Sequence, residues 1–209
     1  MKLFWTTNRH KRYWSERKID WKKAYLDTWD HPHRTLISRV LSNLSWLSLV
    51  EIGCGAGANL RNIITNIPGR QVGGIDINTD AIELAQKSFI GGQFRIGSGE
   101  DIMMSDKSSD IVLTDAMLIY VGPNKIDKYI KEIKRIARNY AVFCEFHTTS
   151  LWNKLALKFN SGYFAYDYKK LLEKHGFYDI QIFKIPKEVW SGTPWEEFGN
   201  IIVAKVPKI

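Results

Sequence analysis

A carboxylate, Glu51, stands two residues before the first of three alternating glycines, Gly53, Gly55 and Gly57, with Cys54 between the first two. Glycine reaches positive φ without strain and, lacking a Cβ, lets a ligand lie directly against the backbone. An apolar run ends at Ile52, and Leu60, Ile63, Ile64 and Ile67 follow at helical spacing. The pattern predicts a buried strand, a tight turn and a helix start. Unpaired N–H groups of a helix's first turn attract an anionic group, whereas Glu51 attracts a cationic one. The chemistry is capture of a ligand that carries both signs. A dinucleotide pyrophosphate, whose turn has the spacing G-x-G-x-x-G, would be repelled by Glu51.

S-adenosylmethionine carries a carboxylate and an ammonium at one end and meets both requirements. A second apolar run ends at Asp76, about twenty residues after the last glycine, where doubly wound folds place an acid that accepts hydrogen bonds from ribose hydroxyls. Ile77 stands beside it, and Asn78 or Thr79 is placed to cap the next helix. A third strand, 93–96, leads into Gly97, Ser98, Gly99, Glu100 and Asp101, a small polar turn where an adenine ring would lie. A fourth, 110–114, ends at Asp115, and a fifth, 140–144, ends at Glu145.

From about Leu47 onward these motifs, in this order, resemble the class I S-adenosylmethionine-dependent methyltransferases. The resemblance implies that Glu51 to Gly57 form the first motif, Asp76 the ribose acid, Gly97 to Asp101 the adenine segment, and Asp110 to Asp115 the fourth strand. Ser98 departs from the family pattern, in which Asp or Asn often meets the adenine amine. The stretches from Leu113 to Val121 and from Arg138 to Phe146 are loosely similar to small methylases associated with pseudaminic acid biosynthesis, which makes a sugar-type substrate a lead. The expected fold is α/β: one Rossmann-like, doubly wound, seven-stranded sheet, mostly parallel, with helices on both faces. The resemblance makes the last strand antiparallel.

In an open parallel sheet, ligands bind beyond the carboxyl ends of the strands. The segments after strands four and five therefore share a rim, bringing Tyr120, Glu145, His147, Trp152, Tyr163 and Tyr166 toward the ligand. A helix at 166–175 closed by Gly176, then strands at 180–185 and 200–206, complete the expected chain. The loop between those strands, 186–199, adds Trp190 and Trp195. Methyl transfer from a sulfonium chiefly requires alignment and exclusion of water. Where the acceptor holds a proton a base is needed, and His147 is the expected one, because imidazole titrates near neutrality. Tyr120, Tyr163, Trp190 and Trp195 are the expected acceptor contacts, and Asp115 lies with the cofactor. His10 and His175 are read as surface or capping residues.

With 209 residues, 44% of them hydrophobic, the chain can bury one sizeable core. No apolar run nears the ~20 residues of a membrane span and the first residues lack a signal peptide's apolar region, which predicts a cytoplasmic protein that makes no membrane contact. The two cysteines, Cys54 and Cys144, form no metal pattern and fit a reducing compartment.

Residues 1–46 read as a helical extension and 47–209 as the catalytic domain. The extension holds most of the net charge of +8. Its bases (Arg9, Lys11, Arg12, Arg17, Lys18, Lys22, Lys23, Arg34, Arg39) are interleaved with aromatics, among them Trp5. Trp14, Trp21, Tyr25 and Trp29 recur at helical spacing, predicting one aromatic stripe against the domain. His31, Pro32 and His33 break the chain before a second helix at 35–44; with no third ligand of suitable spacing they do not read as a metal site. The expected activity is methyl transfer from S-adenosylmethionine to O or N of a small molecule, with an anionic or sugar-type metabolite as one class; the positive charge suits such a substrate and RNA alike and does not choose between them. Two alternatives stay open. An RNA methyltransferase would use the basic extension to neutralise phosphates and stack bases. A non-catalytic scaffold would bind the cofactor without turnover.

Overall fold

The computed structural model describes residues 7–208, so Trp5 lies outside the described residues. Seven strands form one sheet: β1 (Ser48–Ile52), β2 (Gln71–Asp76), β3 (Gln93–Ile96), β4 (Ser109–Asp115), β5 (Ala137–Phe146), β6 (Tyr178–Lys184) and β7 (Gly199–Lys205), in the order β3-β2-β1-β4-β5-β7-β6. The pairs from β3 through β5 are parallel, and β7 runs antiparallel to both β5 and β6. The ends of β1, β2 and β4, at Ile52, Asp76 and Asp115, therefore meet at one rim.

Side chains alternate across this sheet and are buried on both faces. Leu49, Ile111, Leu113, Val142, Ile201 and Val203 face one way, against Leu60 and Ile63 of α4 (Ala58–Asn66) and Ala81, Ile82 and Ala85 of α5 (Thr79–Ser88). Val50, Ile52, Val112, Ala141, Phe143 and Ile202 face the other, against Ile130 and Ile133 of α6 (Ile126–Ile136) and Tyr168 and Leu172 of the short helix Tyr168–Lys174. That two-sided burial is why the central strands read as continuous apolar runs rather than alternating ones.

The segment before β1 differs from the expected single stripe. It comprises α1 (Thr7–Ser15), α2 (Trp21–Ala24), a 3-10 turn (Leu26–Thr28) and α3 (Pro32–Ser42). The break before α2 has a local cause: the Asp20 carboxylate accepts from the Lys23 N–H and starts a new helix there. α3 begins at Pro32 rather than near Thr35, with His31 as its N-cap, because proline is tolerated in a helix's first turn, where its missing N–H is not needed. Trp21, Leu26, Ile37 and Leu41 share the core cluster of the sheet face that α4 and α5 cover, so the extension packs into the domain.

Downstream, β5 begins directly after α6 and is longer than expected, and α7 (Leu151–Ser161) follows it. α8 (Tyr168–Lys174) starts after Asp167, whose carboxylate accepts from the Lys170 N–H. His175 ends α8 and its Nε2 lies 2.7 Å from Asp127, with Gly176 at φ +78°. α9 (Trp195–Phe198) lies between β6 and β7. Among the described residues no helix is long and apolar enough to cross a membrane.

Candidate active site

The glycine turn is fixed by steric need and by hydrogen bonds. Gly53, Gly55 and Gly57 have φ of +79°, +51° and +85°. A Cβ on Gly53 would lie 2.5 Å from Met117 Cγ, and one on Gly57 2.7 Å from the Phe89 ring. The Gly53 and Cys54 N–H groups donate to the Ile75 carbonyl, and the Gly55 N–H donates to the Asp76 carboxylate at 2.8 Å. Asp76 also accepts from the Asn78 N–H at 2.9 Å, while the Asn78 side chain caps α5. Burial raises the Asp76 carboxyl against these backbone donors.

Behind the turn lies a buried polar cluster that one asparagine ties together. Asn59 Nδ2 donates to Glu51 at 2.6 Å and to Asp115 at 2.9 Å, and its carbonyl oxygen accepts from Arg34 at 2.5 Å. Asp115 also takes the His33 Nε2 at 3.1 Å and lies 3.7 Å from Arg34. Burial alone would raise Asp115, but His33, Arg34 and Asn59 outweigh it and hold its carboxyl below the usual range. Glu51 has no such cations in contact; burial, opposed by the Asn59 hydrogen bond, pushes it up to about 8. Glu51 Oε2 and Asp115 Oδ1 are buried and have no hydrogen-bond partner among the described residues. An unfilled acceptor on each of the two carboxylates that Asn59 bridges suits an ammonium group.

These residues open onto a cavity of about 410 Å³, within the range of small-molecule sites. Glu51, Gly53, Cys54, Gly55, Asp76, Ile77 and Asp115 line it, and so do Gly97 and Gly99 at the other end. Ser98, Glu100 and Asp101 do not: Ser98 and Asp101 form a bridge to each other, and the Glu100 carboxylate takes Lys125 at 3.0 Å. The polar turn thus meets the cavity through its glycines. Gly57, inside the turn, supports it from behind as the N-cap of α4.

Beyond the turn the wall is aromatic. Tyr120, Tyr163, Trp190 and Trp195 line the cavity together. Trp190 and Trp195 stack at 3.7 Å, and Trp190 stacks on His33 at 3.9 Å. Tyr120 meets Tyr163 edge-on at 5.4 Å. Glu145 fixes this corner by accepting the N–H groups of Met117, Leu118 and Ile119, the turn that carries Tyr120. His147 is not brought to the cavity: its Nδ1 accepts from the Tyr168 N–H, and burial lowers it. Tyr166 donates to the Val121 carbonyl instead of facing a ligand.

The extension also contributes to the cavity, which its residue spacing does not reveal. His10, Trp14, Trp21, Tyr25, His33 and Arg34 all line the cavity, with Tyr129 of α6. His10, expected at the surface, is buried and lies 5.4 Å from the Tyr120 ring. The aromatic stripe was the available signal, but spacing along the chain does not reveal which face meets a cavity.

Residues 49–139 match the family model of a methyltransferase domain. The stretch matched runs from β1 through the glycine turn, Asp76, Gly99 and Asp115. That stretch is similar to a methyltransferase domain. S-adenosylmethionine is its cofactor, and the unfilled acceptors of Glu51 and Asp115 suit the methionine ammonium. Solved structures share the methyltransferase fold. One chain of the complex between the Haloferax volcanii Trm112 methyltransferase activator and a methyltransferase superposes with a TM-score of 0.67 at 15% identity, over 88% of this chain and 92% of that one. A SAM-dependent methyltransferase of Methanosarcina mazei gives 0.62 at 21%, over 79% and 96%. Phosphoethanolamine N-methyltransferase 2 of Haemonchus contortus, in complex with S-adenosyl-L-methionine, gives 0.64 at 15%, over 84% of this chain and 53% of that one. No curated protein matches the methyltransferase chain.

Proposed function

We propose that this methyltransferase methylates an oxygen or nitrogen of a small planar acceptor held in the aromatic half of the cavity. The observation that carries the reading is that Trp14 and Tyr25 of the extension complete the same wall as Tyr120, Tyr163, Trp190 and Trp195. Flat apolar faces favour a ring stacked or set edge-on among them. In this reading Glu51 and Asp115 hold the methionine ammonium, the turn from Gly53 to Gly57 the carboxylate region, Asp76 the ribose hydroxyls, and Gly97 and Gly99 leave room for the adenine beside Tyr129. The cofactor supplies an electrophilic methyl group. The protein aligns the acceptor's lone pair with it and excludes water. Of the two imidazoles on the cavity wall, His33 is engaged with Asp115, so His10, rather than His147, takes the acceptor's proton.

The charges of the extension argue against an anionic metabolite or RNA as acceptor. Lys11 lies 3.8 Å from Glu100, Lys18 2.7 Å from Asp80 and Lys22 2.7 Å from Asp27, while Arg34 is committed to Asn59 and Asp115. Arg17 stacks over Tyr13 and Trp14. Among the described residues these five bases are engaged within the chain. The test is transfer of labelled methyl from S-adenosylmethionine to a protein-free cell extract divided into RNA and a low-molecular-weight fraction. Label in aromatic hydroxyl or amine compounds of the small fraction is expected. Label confined to RNA, or to phosphorylated sugars, would overturn the reading.

A further inference from the structure

α7 turns its apolar side away from the protein. Leu151, Trp152, Leu155 and Phe159 are 67%, 80%, 37% and 71% exposed, whereas Leu157 on the opposite side is buried. At 100° per residue those four side chains fall on one face about 100° wide, the width by which a helix normally faces a core. Lys154 and Lys158 fall along one edge of this face, and the helix has no acidic residue. Both ends of α7 are fixed. Ser150 caps its start by accepting from the Asn153 N–H, and Gly162, at φ +79°, ends it. Just beyond that end the Phe164 N–H donates to the Ile119 carbonyl. The exposed side is therefore a defined surface of an ordered helix. Tyr163, one residue past Gly162, belongs to the cavity wall.

We propose that α7 docks the protein on an anionic lipid surface, lying in the interface rather than crossing it. A large apolar face with Trp and Phe, bordered by lysines and free of carboxylates, is the composition by which short helices enter the headgroup boundary. Lys154 and Lys158 supply the complement to anionic headgroups. A protein partner or a second copy of this chain would need the apolar face but not the bordering lysines. The proposal rests on the surface of α7 and stands apart from the identity of the methyl acceptor.

The test is co-sedimentation of the full chain with vesicles of phosphatidylcholine alone and of phosphatidylcholine mixed with phosphatidylglycerol. The chain is compared with Trp152→Ser/Phe159→Ser and with Lys154→Gln/Lys158→Gln. S-adenosylhomocysteine titration verifies that each variant is folded. Expected are binding to the anionic vesicles that weakens with salt, a loss of at least about tenfold in the Trp152/Phe159 variant, and a smaller loss in the lysine variant. Absence of vesicle binding, or equal binding by wild type and the Trp152/Phe159 variant, would overturn the proposal. So would a wild-type dimer that this variant makes monomeric, because a second copy would then cover the face.

Discussion

His33 Nε2 and Asp115 Oδ2 lie 3.1 Å apart, although 82 residues separate them in the chain. The contact joins the first turn of α3 to the end of β4, and both side chains are almost fully buried. On its other side His33 Nδ1 lies 2.6 Å from His31 Nδ1. Loss of the pair would leave the Asp115 charge buried with fewer partners. His33→Ala is expected to cost about 3 kcal/mol of stability at neutral pH, measured by urea unfolding. Asp115's carboxyl is held low, so this stability is present above its ordinary 3.8 and is lost as pH falls through the lower folded value. The deficit should therefore narrow in acid.

Glu51 should make cofactor binding depend on pH. Its carboxyl moves from an ordinary 4.5 to about 8 in the ligand-free protein, and an ammonium in contact would lower it again. Binding then releases a proton, and affinity should rise with pH toward about 8. Calorimetry in buffers of different ionisation enthalpy measures that release, which Glu51→Gln should abolish while weakening binding.

The stability of the ligand-free protein should run the opposite way. A raised folded value means that Glu51's contribution is complete below 4.5 and is lost as pH rises through about 8. Glu145, also pushed up to about 8 by burial, adds a second such contribution. Thermal unfolding across this window should show a decline that Glu51→Gln makes shallower, with Glu145 and the raised Asp76 contributing to the remainder.

Asp76→Ala should weaken S-adenosylhomocysteine binding by more than the ~1 kcal/mol of an ordinary hydrogen bond, since a charged acceptor serves two hydroxyls. It should also free the Gly55 N–H that Asp76 now holds. Unchanged affinity by titration would remove Asp76 from the ribose site.

The two imidazoles separate two accounts of proton removal. His10→Gln should lower kcat by about a hundredfold with an acceptor that must lose a proton and leave cofactor affinity nearly unchanged. His147→Gln should spare the pH profile of kcat and act through stability, because its ring holds the Tyr168 N–H. The reverse result would restore His147 as the base.

The sheet and the glycine turn were legible because their determinants are local. β2 follows from an apolar run that ends at Asp76, and the turn from glycines spaced at every second residue, each at positive φ. The aromatic and histidine wall was less so. Trp14 and Tyr120 meet at 5.2 Å only after the chain has wound through four strands, and no short window of sequence encodes such a contact. His147 misled because its position after β5 is local information, whereas the direction of its ring is set by Tyr168 from another helix. Capping was mixed: Asn78 was visible at the start of its helix, but Asp20 was hidden inside an apparent continuous stripe.

The clasp at Asn78 has a consequence for biosynthesis. Its Oδ1 caps α5, while its Nδ2 donates to the carbonyls of Trp14 and Arg17 at 2.8 and 2.9 Å. Those early residues must wait for more than sixty later ones before this anchor exists, and His33 waits longer still for Asp115. Trp190 and Trp195 arrive last, Trp190 to stack on His33 and Trp195 on Trp190. Distant contacts carry the loop-closure cost of the chain between them. The cavity is thus a late product of translation, assembled when segments made at quite different times converge, and no fragment lacking one of them can form it.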